Sequence, residues 1–315
     1  MKFHFGKEFG NCYYLRLGSP DELYYAYVIL KEVFEKKAMQ RSQNNTCLLC
    51  EVNKATKRKS HIVSKFLGKS ITNKNERFAY EIDTSRPNRI PKKVQDSPKE
   101  DFLLCPQCEK YLEHLETYFA NNLHHKILDD KFNHNFNYGI SEGGIEHAIC
   151  LNHDNNLLRL FVFSLYWRAS ISETNVFRDF KVQQERMLRQ ILVNSKSDGI
   201  DEIKRKTPHS KTFELSMVIL RTKSKTGNSQ NVIQANNSCS DPYMLDLNEY
   251  IFLLSWTNTP ISTFGNLVNY GNSKIIIGLI SQDILDEFSS FLINLAAHQT
   301  LANVKTKNIK GNGFQ

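Results

Sequence analysis

Cys47-Leu48-Leu49-Cys50 and, beyond a basic segment, Phe102-Leu103-Leu104-Cys105-Pro106-Gln107-Cys108-Glu109 are the stretches on which the reading of this chain turns. Each Cys-x-x-Cys turn brings two thiolates to one side of the backbone, and two such turns complete the tetrahedral sulfur cage of a closed zinc site. The spacing therefore assigns one structural Zn2+ to Cys47, Cys50, Cys105 and Cys108. Four sulfurs leave the ion no open position, so it holds the fold and any catalysis must come from groups beside it. Redox chemistry is disfavoured, because there are two pairs and neither follows a strand in a thioredoxin-like unit. Pro106 stands where a helix can begin. From Glu109 to about Leu128, Leu112, Leu115, Phe119 and Leu123 recur on one helical face.

Between the cysteine pairs the chain is basic and rich in loop signals, with prolines at 87, 91 and 98. From Glu51 to Glu100 thirteen basic residues stand against six acidic ones, so most of the net charge of +8 lies beside the cysteines. A polyanion is the partner such a surface favours. Lys57, Arg58, Lys59, Lys65, Arg86, Arg89, Lys92 and Lys93 are the candidates to neutralise phosphates without reading sequence.

Further out, Ser19-Pro20-Asp21-Glu22 reads as the start of a helix that runs to about Gln40. After a loop rich in Asn, His and Gly, from Asp129 to Asn156, helices are expected over Leu157–Ser170 and Val182–Val193. Strand-like runs follow at Phe213–Arg221, Tyr250–Trp256 and Lys274–Ile280, with a closing helix over Gln282–Ala302 and a frayed tail from Lys305. Hydrophobic residues at 40% and charged residues at 23% suit a folded globular chain of 315 residues. The N-terminus lacks the apolar core of a secretory signal, and no apolar run is long enough to span a bilayer, so a cytoplasmic protein without membrane contact is expected. Cys12, Cys150 and Cys239 read as small buried residues, and His114, His124 and His125 as surface histidines.

Ten positions after Cys50 begins Ser60-His61-Ile62-Val63-Ser64-Lys65-Phe66. The order Cys-x-x-Cys, histidine with apolar neighbours, then Leu-Cys-x-x-Cys opening a helix resembles the zinc-containing HNH endonucleases. Within them it looks most like a divergent bacterial branch with Ser-His and Leu-Leu-Cys-x-x-Cys-Glu motifs. Phe163-Ser164-Leu165-Tyr166-Trp167-Arg168 is similar to a later segment of that branch. The resemblance covers Cys47 to Glu116 and implies a ββα-metal fold, in which His61 is the general base and one divalent cation, Mg2+ or Mn2+, serves the scissile phosphate. This chain carries Ser60 where the family usually has Asp, Glu109 where its helix usually has His, and Glu100 or Asp101 in place of its Asn. Glu109, Glu113 and Glu116 share one helical face by their spacing, and Glu109 and Glu116 are the expected cation ligands.

The expected architecture is α+β. It comprises an N-terminal strand and helix over 1–46, a zinc-stabilised HNH-like module over 47–130, and a helical then mixed α+β region over 131–315 through which a protein partner or second copy would bind. The expected function is endonucleolytic cleavage of DNA, with RNA as second substrate. The alternative keeps the zinc scaffold as an inactive nucleic-acid-binding or assembly module.

Overall fold

A computed structural model of the chain describes residues 41–68, 79–81, 92–206, 215–223, 232–236, 241–256, 262–271 and 274–287. The helix expected over 20–40, Cys12, Cys239, Arg86, Arg89, the closing helix beyond 287 and the tail lie outside these residues. Contacts divide the chain into 1–41 and 42–315, and all the elements below belong to the second unit.

In chain order this unit opens with strand β1 (Ser60–His61), the short helix α1 (Lys65–Gly68), strands β2 (Ala79–Glu81), β3 (Lys92–Val94) and β4 (Lys99–Glu100), then helix α2 (Pro106–Phe119). β1 and β4 are antiparallel, with Ser60 opposite Glu100 and His61 opposite Lys99. β2 and β3 form a second antiparallel pair. The two ends of the stretch between Gly68 and Ser97 are held together. The amide of Ile62 donates to the Pro98 carbonyl at 2.9 Å, and a Cβ on Gly68 would meet the Cβ of Ser97 at 2.7 Å, so only glycine fits.

Helix α2 starts at Pro106 rather than at Glu109, since proline has no amide hydrogen to leave unpaired in a first turn. Tyr111, Leu112, Leu115 and Phe119 form its buried face, and a π-helical turn, Ala120–His124, continues it.

The loop expected from Asp129 to Asn156 is corrected by the structure. A 3-10 turn (Asp130–Asn135) leads into a hairpin of β5 (Phe136–Ile140) and β6 (Glu146–Cys150). β5 lies at a sheet edge, with Asn137, Tyr138 and Ile140 facing solvent. A half-exposed edge strand need not carry the apolar run that marks a central one.

Asp154 caps helix α3 (Asn155–Ile171) by accepting from the Leu157 amide at 3.0 Å. Nearly every residue of α3 is buried, so it has no solvent face and serves as the axis of the unit. Helices α4 (Glu185–Ser195) and α5 (Ile200–Lys206) precede strands β7 (Ser216–Thr222), β8 (Ile233–Asn236), β9 (Tyr243–Leu247), β10 (Tyr250–Ser255) and β11 (Ile276–Ile280). Seven strands join in the order β5-β6-β11-β7-β10-β9-β8; β11 and β7 are parallel, and the other neighbours are antiparallel.

Alternation along β7 divides the sheet's side chains. Met217 and Ile219 join a core that runs through α3 and α2 to Cys47 and Cys108, while Val218 and Leu220 join a smaller cluster with Leu267 and Leu285. The Tyr166 hydroxyl donates to the carbonyls of Tyr243 and Phe252 and fixes α3 on the sheet. Among the described residues no helix is long and apolar enough to cross a membrane.

Candidate functional site

The four cysteines converge. The sulfurs of Cys47, Cys50, Cys105 and Cys108 all lie within 4.8 Å of one another, with Cys50 and Cys105 at 3.9 Å. Tetrahedral zinc with sulfur at ~2.3 Å places its ligands about 3.8 Å apart, so the cage can hold a metal ion such as zinc. Local hydrogen bonds shape it. The Glu51 amide turns back to the Cys47 carbonyl at 2.9 Å, and Glu51 takes a left-handed conformation (φ 54°) to do so. The Cys47 amide donates to Asn53 O at 2.8 Å, and the Leu48 amide to Leu103 O at 2.9 Å, joining the two turns. Asn53 Nδ2 lies 3.8 Å from the Cys105 sulfur. From α4, Arg189 donates to the Leu49 carbonyl at 3.0 Å and pairs with Glu51 at 2.9 Å. The neighbouring Cys108 thiol pulls the Cys47 thiol down to about 5, against burial, and Cys108 is driven up in return.

Beside the cage an open cleft of about 330 Å³ is lined by Lys57, Arg58, Lys59, His61, Lys65, Glu109, Leu112, Glu113, Glu116 and Arg168. Strand β1 supplies His61, whose Nε2 is buried without a hydrogen-bond partner. Burial is the main force lowering its pKa; Lys99 and Arg168 add to it, and Glu116 and Asp96 oppose it. The ring is therefore neutral at pH 7 and able to accept a proton.

One face of α2 brings Glu109, Glu113 and Glu116 to the cleft, as their spacing predicts. Their surroundings differ. Glu113 is exposed. Burial raises the pKa of Glu109, while Ser60, Arg168 and Lys57 favour its ionised form. The Ser60 hydroxyl, itself fully buried, completes no hydrogen bond. Glu116 is paired with Arg168 at 2.5 Å.

Arg168, to which the sequence assigns no role, is the hub of the cleft floor. It is 3% exposed. Its Nη1 donates to Glu116 and, at 3.0 Å, to the His61 carbonyl; Nε reaches Ser164 O at 3.2 Å, and Nη2 the hydroxyls of Ser64 and Ser164. It therefore joins β1, α2 and α3. A charged residue inside an otherwise apolar run was the available signal, because a buried guanidinium requires partners.

Of the basic candidates, Lys57, Arg58, Lys59 and Lys65 line the cleft. Lys59 has a left-handed backbone (φ 55°), and its amide donates to Asp101 at 2.7 Å. Lys93 is exposed on β3 and is not part of the lining, and of Lys92 only the backbone is described. Glu100 accepts the Glu173 amide through both oxygens, at 3.1 Å each. The expectation that His124 is a surface residue is corrected. Its side chain is 13% exposed, its Nδ1 lies 3.2 Å from the Tyr250 hydroxyl, and burial holds its pKa down to about 3, aided by Arg221 and His125. His114 contacts Asp198 O at 2.8 Å, His125 is exposed, and Cys150 is buried, with its thiol raised to about 12.

Among the described residues the four cysteines are the only group of three or more histidine, cysteine or acidic side chains clustered tightly enough to hold a metal. A hard cation in the cleft would have Glu109, which forms no salt bridge among the described residues, as its protein carboxylate. That donor set fits magnesium, which commonly takes one or two carboxylates and completes its shell with substrate phosphate and water. Compared with family models, with curated proteins and with solved structures, the chain matches none.

Proposed function

We propose that the chain is a metal-dependent, HNH-like endonuclease that hydrolyses phosphodiester bonds in DNA, with RNA as the second substrate class. The observation that carries the reading is His61, neutral, in a cleft shared with the carboxylates of α2 and rimmed by Lys57, Arg58, Lys59 and Lys65. The β1–β4 pair, helix α2 and the sulfur cage beside them support this reading. In this reading His61 takes a proton from water. The water oxygen bonds to phosphorus as the bond to the leaving oxygen breaks, and the leaving oxygen gains a proton from solvent. Glu109 would hold Mg2+ or Mn2+, which would supply charge neutralisation to the scissile phosphate and the leaving oxygen. The lysines and Arg58 draw the phosphate backbone into the cleft.

The test is nicking of supercoiled plasmid by the purified protein with Mg2+ or Mn2+, beside a His61→Ala variant of verified zinc content. We expect the variant to keep its fold and zinc and to lose cleavage by at least ~10²-fold, the usual contribution of a general base. Cleavage retained by His61→Ala removes His61 from the mechanism. A second reading, a zinc-stabilised nucleic-acid-binding module without catalysis, is favoured by the engagement of Glu116 by Arg168, which occupies one expected cation ligand. It takes over if neither protein nicks while both bind DNA in a salt-sensitive way.

A further inference from the structure

The backbone of His61 is held by Arg168 and by pairing with β4, but these contacts leave the imidazole free to turn. Among the described residues, the carboxylate oxygen that forms an ion-pair contact with the ring belongs to Asp96, in the bend that leads into β4. We infer that Asp96 is the positioning residue for His61, its carboxylate accepting a hydrogen bond from Nε2–H so that the Nδ1 lone pair remains available to the cleft. The inference deepens the endonuclease reading and rests on it.

Three observations carry it. Asp96 Oδ1 lies 4.0 Å from His61 Nε2. That nitrogen is buried and makes no hydrogen bond, although a buried ring nitrogen normally finds a partner. The side chain of Asp96 is half-exposed, so a small rotation closes the remaining gap without disturbing packed neighbours. The carboxylate is in turn aimed: the Ser97 amide donates to Oδ1 at 2.9 Å, and Lys99 Nζ grips Oδ2. Lys99 therefore keeps Asp96 ionised while leaving Oδ1 toward the ring.

The charged groups acting on His61 are Asp96 in the bend before β4, Lys99 of β4, Glu116 of α2 and Arg168 of α3. Two are anionic and two cationic, and Asp96 works against the lowering of the ring's pKa by burial, Lys99 and Arg168. Its further effect is on orientation and tautomer. A ring carrying its proton on Nε2 and donating it to Asp96 presents an unprotonated Nδ1, whereas a ring without that acceptor samples both tautomers and other rotations.

The experiment uses the full-length, zinc-loaded protein and its Asp96→Asn and Asp96→Glu variants. Plasmid nicking with Mn2+ is measured together with 15N spectra of the histidine imidazoles, His61 being assigned by its absence from His61→Ala. We expect Asp96→Asn to lower kcat about 10- to 100-fold with KM within about twofold, as for other groups that orient a functional histidine. The His61 signals should shift from the Nε2-protonated tautomer toward a mixture, and Asp96→Glu should recover much of both. Unchanged kcat and an unchanged tautomer in Asp96→Asn overturn the inference. If wild type does not cleave, the endonuclease reading falls by itself, and the spectra alone decide Asp96: a tautomer lost in Asn and regained in Glu upholds the contact, and one indifferent to both removes it.

Discussion

Arg168 directs all three of its guanidinium nitrogens into the protein, to groups on three elements, and so the cleft floor is an internal ion pair with hydrogen-bonded surroundings. Removing one member of such a pair leaves the other charge buried and unpaired. Arg168→Met should therefore destabilise the fold by about 3–5 kcal/mol, read as a fall in the urea midpoint, while Arg168→Met with Glu116→Leu should recover a large part of the loss. A double variant as unstable as the single one would show that the hydrogen bonds to His61 and Ser164, not the charge pair, carry the energy. The residues of this site differ in how legible they are. His61 and Glu109 could be picked out because they flank paired cysteines at a fixed order. Arg168 shows in the sequence only as a charge inside a largely apolar run and Asp96 not at all, because their contacts cross more than thirty positions, which spacing does not encode. His124 was misjudged for a related reason: its helix face is polar by composition, yet Phe66 and Tyr250 cover it.

β1 and β4 are each two residues long and are too short to persist as an isolated pair. Their register depends on what clamps their flanks, which is the sulfur cage on one side and α3 on the other. Stripping the metal with a strong chelator, or Cys105→Ser, should therefore loosen the β1–β4 pair and the first turn of α2 while leaving the seven-stranded sheet folded. Hydrogen exchange should show protection lost over 47–62 and 99–109 and kept in β7 and β10; uniform loss would make the cage a determinant of the whole unit. Helices α2, α3 and α4 and strands β7, β10 and β11 were readable from apolar runs, because both faces of each central strand are buried. β5 and β6 were not, since an edge hairpin with solvent-facing Asn137 and Ile140 has the composition of a loop. β8 and β9 were also missed, their polar residues breaking the alternation.

Along the whole sequence the excess of positive charge falls mostly between the two cysteine pairs, and four of its bearers meet at one cleft. If they contact phosphates, each releases a counterion. Binding of a short DNA duplex should then weaken linearly in log salt, and replacing Lys57, Lys59 and Lys65 together with Gln should flatten the slope by up to about 2.7. An unchanged slope would move the nucleic-acid surface elsewhere. The charge balance was plain in the sequence; that these cations share a wall with the carboxylates of α2 was not, since that depends on α3 drawing β1 and α2 together through Arg168. The contact of Gly68 with Ser97 has a wider meaning at this scale. Because Gly68 and Ser97 pack closely, the two ends of the stretch between them are held together. Closing a longer or shorter stretch changes the free energy by only ~0.6 kcal/mol per doubling of length. The fold can therefore accept quite different inserts at that port, and so acquire new recognition properties, while the machinery on either side keeps its geometry.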